Sequence, residues 1–207
     1  MTRESTIGSK AKQRSFWREL PVLVIVAVLV AVLVRTFVVQ TFWIPSGSME
    51  QTLLVNDRVL VNKLLYDVRD PHRGEIVVFV APDSWRTDPN ETDFIKRVIG
   101  VGGDHVMCCD SRGRVSVNGH ALVEPYVYPG NSYGTPFDVH VPTGRLFVMG
   151  DHREISGDST KHLDDHSGTV PVSSVVGRAF VIFWPLNRVG LLRVPDTFDG
   201  VPTPSGG

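Results

Sequence analysis

The sequence has few residues of the types on which disulfide frameworks and zinc centres are built. It contains 2 cysteines, Cys108 and Cys109, and they are adjacent. This arrangement does not match the cysteine spacing of a structural zinc site. Across a trans peptide their Cα atoms lie about 3.8 Å apart, below the usual disulfide range of about 4.4–6.8 Å. We therefore expect two free thiols rather than a strained bridge.

An excess of charge of one sign is also lacking. The 21 lysine and arginine residues nearly balance 22 acidic residues, which leaves a net charge of −1. Proteins that bind nucleic acids through their phosphates usually carry a basic field, and this chain has none. We therefore expect no nucleic-acid partner.

One long apolar run is present, LPVLVIVAVLVAVLV at 20–34, and it holds no charged residue. Extended to residue 39, it is long enough at about 1.5 Å per residue to cross a bilayer core of about 30 Å. A cleaved signal peptide would need a small-x-small site after the run, but RTFVVQTFWIP follows. A buried helix of a soluble protein would show a polar stripe, which is missing here. The run is therefore predicted to be an uncleaved transmembrane helix.

The charges before the run predict its orientation. Basic residues outnumber the acidic Glu4 and Glu19 there; they are Arg3, Lys10, Lys12, Arg14 and Arg18. By the positive-inside rule, residues 1–15 form a flexible cytoplasmic segment and 16–39 form the anchor. The remainder is then extracytoplasmic, at the cell membrane, with membrane lipid as a partner.

From Phe42 onward the pattern is that of a mostly β protein. Runs rich in valine, isoleucine and phenylalanine predict strands at 58–64, 75–82, 94–101, 114–123, 145–151 and 174–185. Asn118-Gly119 predicts a type I′ hairpin turn. We expect an antiparallel β-sheet domain with long loops over 40–193, and a disordered tail over 194–207.

The segment WIPSGSMEQTL at 43–53 places a Ser-Gly-Ser turn beside the predicted anchor. Serine becomes a nucleophile only when a base removes its proton, and a lysine can do so only when burial lowers its pKa. Lys96 in DFIKRVIGV lies inside an apolar strand, where Phe94 and Val98 share its face. Lys63 in RVLVNKL is the rival base.

Four motifs occur in a fixed order after the single apolar run. They are IPSGSM followed by TL, then RGEIVVF, then FIKRVIGVGGD, then GDHREISGDS. With this order, the chain from about residue 37 to 185 resembles bacterial type I signal peptidase, a Ser-Lys dyad family of the peptidase S26 class.

The resemblance implies a role for each matched residue. Ser48 would be the nucleophile and Lys96 the general base, with the Ser46 hydroxyl and the Ser48 N–H forming the oxyanion hole. Ser156 would orient the lysine, and Asp158 would hold its loop in shape. The implied substrate-pocket walls are Ile44, Met49, Leu53, Phe94 and Ile95.

The resemblance also implies the partners. The substrates would be secretory preproteins with small-x-small cleavage sites, cut through an acyl-enzyme without a metal or a cofactor. The oligomeric state is open, with a monomer as the working expectation.

The sequence departs from the family pattern at loop positions. Gln51 and Gly102 stand where proline is usual, and His152 stands where asparagine is common. Thr160-Lys161 follows where the family has arginine, so an ion pair of Asp158 is either lost or made by Lys161 or Arg153.

Two other functions compete with a signal peptidase. A catalytically silent membrane-anchored β module could bind exported or envelope proteins. Such a module has no need to keep all of the four side chains Ser46, Ser48, Lys96 and Ser156. A self-cleaving Ser-Lys repressor would need a DNA-binding helical domain, and an apolar run occupies that position. The related endoplasmic-reticulum enzymes have histidine where Lys96 stands.

Overall fold

The computed structural model describes residues 16–130 and 136–204, and the chain divides into two compact units, Met1–Phe37 and Val38–Gly207. The predicted segment 1–15 lies outside the described residues. The first unit contains one helix, α1 (Phe16–Phe37). Among the described residues, no helix has both the length and the apolar character needed to cross a membrane. The predicted limit of 16–39 is two residues too long, because Val39 already begins a strand.

The second unit is built on strands, as the valine-rich runs predict, with one short helix, α2 (Leu65–Val68). The strands are β1 (Val39–Trp43), β2 (Arg58–Asn62), β3 (Ile76–Val80), β4 (Asp93–Val101), β5 (His105–Cys108), β6 (Val115–Val117), β7 (His120–Ala121), β8 (Phe137–His140), β9 (Arg145–Met149), β10 (Thr169–Pro171), β11 (Val175–Trp184) and β12 (Gly190–Leu191). All six predicted strand regions contain strands. The strands β1, β5, β8, β10 and β12 lie outside the predicted regions.

The strands form two sheets with antiparallel pairing throughout. The larger has the order β1-β2-β11-β3-β4-β9-β10, with β12 paired to β11. The smaller has the order β7-β6-β5-β8. Between β6 and β7, Asn118 and Gly119 have φ angles of 51° and 77°. Positive φ at both positions confirms the predicted type I′ turn.

Apolar clusters cover both faces of the large sheet. One cluster contains Val59, Val61 and Val78 with the Ile44–Leu53 region, and another contains Val77, Phe79 and Val98. A third lies against the small sheet. β4 therefore runs through the centre of the fold, buried over most of its length.

The C-terminal segment packs against the small sheet. Phe198 is 6% exposed and Val201 is 8% exposed, and both belong to the cluster that contains Val106 and Val117. The Asn118 side chain donates to the Pro202 carbonyl at 2.9 Å. The prediction of a disordered tail is therefore wrong for 194–204, because the apolar face of the small sheet needs this cover. Residues 205–207 lie outside the described part.

The two cysteines are also not free thiols. Cys108 and Cys109 form a disulfide across a cis peptide bond, with Cα atoms 3.0 Å apart. Our expectation assumed the trans form, in which the Cα atoms lie farther apart.

A buried ion pair joins β4 to the end of β9. Arg97 is 1% exposed and Asp151 is fully buried. The guanidinium donates to both carboxylate oxygens of Asp151, at 2.9 and 2.6 Å, and to the Gly74 carbonyl at 2.9 Å. It also lies 4.1 Å from the centre of the Tyr126 ring.

We expect Asp151→Ala to lower the free energy of unfolding by about 3–5 kcal/mol, because it leaves the buried Arg97 charge without its partner. Urea unfolding followed by tryptophan fluorescence measures the effect. Asp83→Ala is the matched control, since it removes an ion pair whose carboxylate is 95% exposed. The control is expected to unfold like the wild type. Equal unfolding midpoints for Asp151→Ala and the wild type would contradict the prediction.

Candidate active site

The Ser46–Ser48 turn is held between buried apolar side chains. It follows β1, and the Ile44 N–H donates to the Asp57 carbonyl while the Asn56 N–H donates to the Ile44 carbonyl, both at 2.9 Å. Beyond the turn, Met49 and Leu53 are completely buried. The serines therefore lie on a packed segment rather than a loose linker.

Lys96 and Ser48 meet inside this packed region. The Lys96 Nζ donates to the Ser48 Oγ at 2.9 Å and to the Ile95 carbonyl at 3.1 Å. Lys96 is 4% exposed and Ser48 is 7% exposed. β4 pairs with β3 so that Lys96 lies opposite Val77. The alternation along β4 directs Lys96 toward the serine and the next residue, Arg97, to the opposite face.

Burial lowers the pKa of Lys96 from 10.5 to about 8. The carboxylates of Asp158, Glu91 and Asp151 act in the opposite direction, because each stabilises the ammonium form. A pKa near 8 leaves about one amine in ten neutral at pH 7, against about one in 2500 for an exposed lysine. The arrangement therefore supplies an amine that can accept a proton near neutral pH, 2.9 Å from a hydroxyl.

Ser46 lies on the other side of the Ser48 hydroxyl. Its Oγ donates to the Ser48 Oγ at 3.4 Å, and its side chain lines the same cleft. A hydroxyl at this position can donate to an oxygen that gains negative charge next to Ser48.

The segment after β9 packs directly against Ser48. The His152 N–H donates to the Ser48 carbonyl at 3.1 Å, and the Ser156 N–H donates to the His152 carbonyl at 3.1 Å. A Cβ added at Gly150 would lie 2.3 Å from both the Ser48 carbonyl oxygen and the Ser156 Oγ. The Ser156 Oγ is buried and has no hydrogen-bond partner in the described part of the chain. Its lysine-orienting role stays a prediction.

Asp158 is fully buried and accepts hydrogen bonds within its own loop. Its carboxylate accepts from the Gly150 N–H at 2.8 Å, the Thr160 N–H at 3.0 Å and the Thr160 hydroxyl at 2.8 Å. Arg153 instead pairs with Glu124 at 2.6 Å. Within the described residues no ion pair of Asp158 occurs, so Thr160 takes the place of the arginine that the family pattern would supply.

A cleft of about 330 Å³ opens in front of Ser48 and Lys96. Its lining residues are Pro45, Ser46, Gly47, Ser48, Trp85, Thr87, Glu91, Asp93, Phe94, Ile95, Lys96, Ile155 and Gly157. Phe94 and Ile95 lie in the wall, where the sequence places them. Its volume is at the small end of the range for ligand pockets, about 300–1,000 Å³.

Three of the predicted pocket walls do not line this cleft. Ile44 is 2% exposed, and Met49 and Leu53 are fully buried in the cluster under β2 and β3. Their assignment to substrate binding is therefore corrected to packing beneath the Ser-Gly-Ser turn. They fix the position of the turn rather than contact a ligand in the cleft.

The sequence reasoning missed four side chains of the cleft. Trp85, Thr87 and Glu91 come from the loop between β3 and β4, and Ile155 comes from the segment after β9. Loops carry no periodicity that assigns side chains to a face. The apolar side chain of Ile155 is 58% exposed, which points to a binding surface, but this exposure can be recognised only once the fold is known.

Comparisons with known proteins identify the family of the chain. The family model described as "Signal peptidase, peptidase S26" matches residues 17–184. A probable signal peptidase I-2 of Synechocystis sp. is 43% identical over 194 residues, covering 93% of this chain and 84% of that protein. Signal peptidase I of Mycobacterium tuberculosis is 37% identical over 227 residues, covering 87% and 77%.

A solved structure is also similar, that of a signal peptidase I from Enterococcus faecalis. It is 29% identical, with a TM-score of 0.40, and the match covers 53% of this chain and 97% of that one. The family match extends over more than half of the chain and includes both Ser48 and Lys96. The chain therefore belongs to the signal peptidases of the peptidase S26 family.

Proposed function

We propose that this protein is a membrane-bound serine endopeptidase that removes signal peptides from exported preproteins with a Ser48/Lys96 dyad. The observation that supports the proposal is the 2.9 Å contact between the Lys96 Nζ and the Ser48 Oγ, with both groups nearly buried. A silent binding module has no need of a lysine whose charge is this costly to bury.

The reaction begins when the neutral Lys96 amine takes the Ser48 proton and the Ser48 Oγ attacks the carbonyl carbon of the scissile peptide bond. The negative charge that forms on the carbonyl oxygen is stabilised by the Ser46 hydroxyl and the Ser48 N–H. Removing one such donor typically costs about 2.7–4 kcal/mol of transition-state stabilisation.

The ammonium of Lys96 then gives its proton to the leaving amine, which departs as the mature N-terminus. The signal peptide remains as an ester on Ser48. Lys96, neutral again, removes a proton from a water molecule that attacks the ester, and the signal peptide is released. We assign Ser156 the lysine-orienting role that the resemblance implies; its Oγ is buried and has no hydrogen-bond partner among the described residues, so it is available for this bond.

The substrate segment enters extended along the cleft wall formed by Asp93, Phe94 and Ile95. An extended peptide can use the backbone of a strand for hydrogen bonds and the pockets between side chains for selection. We infer that the pockets of this cleft admit small residues at the first and third positions before the cut and exclude large ones.

We expect Ser48→Ala and Lys96→Ala each to lower the rate of preprotein cleavage by at least about a thousandfold, because each removes one half of the reacting pair. The measurement is processing of a preprotein with alanines at the first and third positions before the cut.

Lys63→Ala is the matched control, because Lys63 is the other lysine on a predicted strand face. It directly follows β2 and does not line the cleft. It should process the substrate at the wild-type rate. All three variants should show cooperative unfolding, so that loss of activity is not loss of fold. Wild-type processing by Ser48→Ala or Lys96→Ala would remove the dyad from the mechanism.

The pH dependence of cleavage follows from the buried amine. Lys96 is a base only when it is neutral, so the rate should rise with pH through an apparent pKa of about 8 and then level off. Glu91→Gln removes one of the carboxylates that raise the pKa of Lys96, so the rising limb should move to lower pH. Single-turnover rates over a pH series measure the rising limb of the wild type and that of Glu91→Gln. An unchanged or opposite displacement in Glu91→Gln would contradict this electrostatic account.

A membrane location is supported by two apolar features, one in each unit. Within α1, exposed apolar side chains follow one another from Val22 to Leu29. In the catalytic unit, the tryptophans Trp43 and Trp184 are both half exposed and lie on either side of Arg58 in the strand register. Leu186 and Leu191 add exposed apolar surface. Tryptophan is enriched at membrane–water interfaces.

We expect the full chain to stay with membranes after carbonate washing, with its catalytic unit on the extracytoplasmic side. Val26→Arg combined with Leu29→Arg should release it, because each arginine at the centre of a span costs about 2.5–3.5 kcal/mol on insertion scales. Val68→Arg, at an 81% exposed position of the catalytic unit, is the control and should stay bound. A carbonate-soluble wild type would refute the anchor.

A further inference from the structure

The exposed face of the small sheet carries two histidines and an aspartate. β8 alternates between buried and exposed residues, so that Asp138 and His140 both face outward. His105, at the start of β5, pairs directly with His140 in the strand register. The two strands therefore place all three side chains on one face, although His105 and His140 are 35 residues apart in the sequence.

The three side chains lie close to one another. One ligand atom from each lies within 4.8 Å of the others. The His105 Nε2 lies 2.6 Å from the Asp138 Oδ1. The rings of His105 and His140 stack with centroids 4.1 Å apart and planes 8° from parallel.

A hydrogen bond between His105 and Asp138 explains only part of this arrangement. It does not involve the third side chain, His140, whose ring is stacked on that of His105. A divalent cation would use all three side chains, because it is bound by neutral imidazoles and by an ionised carboxylate. Ligand atoms around a tetrahedral zinc ion with bonds of about 2.0–2.2 Å lie about 3.3–3.6 Å apart. The three ligand atoms, which lie within 4.8 Å of one another, would move to this spacing when an ion binds.

We propose that His105, Asp138 and His140 form a binding site for a zinc-type divalent cation. Two imidazoles and one carboxylate favour zinc and its transition-metal neighbours over magnesium and calcium, which prefer oxygen ligands alone. Three protein ligands leave one position for water or for a group from another molecule.

The proposed site is separate from the peptidase chemistry. None of its three residues lines the cleft at Ser48, and they belong to the small sheet, whereas Lys96 lies on the large one. A bound cation would join β5 to β8 by metal–ligand bonds, in addition to the backbone hydrogen bonds between the two strands. Its expected effect is on the stability of the small sheet, because a ligand that binds the folded state stabilises it by mass action.

The test is zinc titration of the full chain, prepared without a polyhistidine tag and without thiol reductants so that Cys108 and Cys109 stay bonded. Calorimetry should show one zinc ion per chain, and zinc should raise the unfolding temperature. His140→Ala should weaken binding by at least about tenfold, and Asp138→Asn should also weaken it. His72→Ala, which removes an exposed histidine outside the cluster, should bind like the wild type.

Absence of zinc binding by the wild type would overturn the proposal, and so would undiminished binding in His140→Ala. Equal loss in His72→Ala would show that surface histidines bind zinc without a defined site. Because His140 and Asp138 are exposed, the variants His140→Ala and Asp138→Asn should unfold at the wild-type temperature when no zinc is present. Preprotein cleavage by His140→Ala should also match the wild type, so that failure here is distinguishable from failure of the proposed peptidase function.

Discussion

The fold places one primary amine in an environment that opposes its charge. Displacing the pKa of Lys96 from 10.5 to about 8 corresponds to about 3 kcal/mol in favour of the neutral form. Much of the surrounding structure can be understood as holding this amine out of water. The central strand carries it, the packed turn presents Ser48 to it, and the segment after β9 covers the other side. The nearby carboxylates moderate the effect, so that the pKa stays within reach of neutral pH.

Consecutive positions of β4 show how strand alternation separates two cations. Lys96 faces Ser48 and has no ion-pair partner among the described residues, whereas Arg97 on the opposite face is held by Asp151 and Gly74. Asp151 begins the segment whose next residue, His152, donates to the Ser48 carbonyl. The ion pair and Ser48 are thus connected through one short piece of backbone. A shift of β4 by one residue would exchange the two faces and leave a guanidinium where the amine is needed.

Much of this architecture is predictable from sequence, where side-chain periodicity or turn chemistry is strong. The long valine-rich strands and the Asn118-Gly119 hairpin are of this kind, and so is the position of Lys96 among apolar neighbours. The pairing of Ser48 with Lys96 came from the order of four motifs, since nothing in local pattern brings residues 48 and 96 together. Ile44 and Met49 were misassigned because an apolar residue beside a nucleophile can either face a substrate or support the turn. Only the packing distinguishes these roles.

Other features were missed because they depend on register or on long-range cover. His105 and His140 become neighbours only when β5 and β8 pair, and their spacing in the sequence does not predict this pairing. Residues 194–204 look like a polar, proline-rich tail, yet the small sheet has an apolar face that Phe198 and Val201 cover. The bonded cysteines escaped prediction because the peptide between them was taken to be trans. In each case the missing information is three-dimensional.

Gly150 shows how little space separates the parts of the site. There is no room for a single methyl group between the Ser48 carbonyl oxygen and the Ser156 hydroxyl, since both would lie 2.3 Å from it. The backbone of Ser48 is therefore positioned by contact with a bare main chain. Any effort to transplant the Ser48–Lys96 contact onto another scaffold must reproduce that close approach of two backbones, because copying the serine and lysine side chains alone would leave the Ser48 oxygen misplaced.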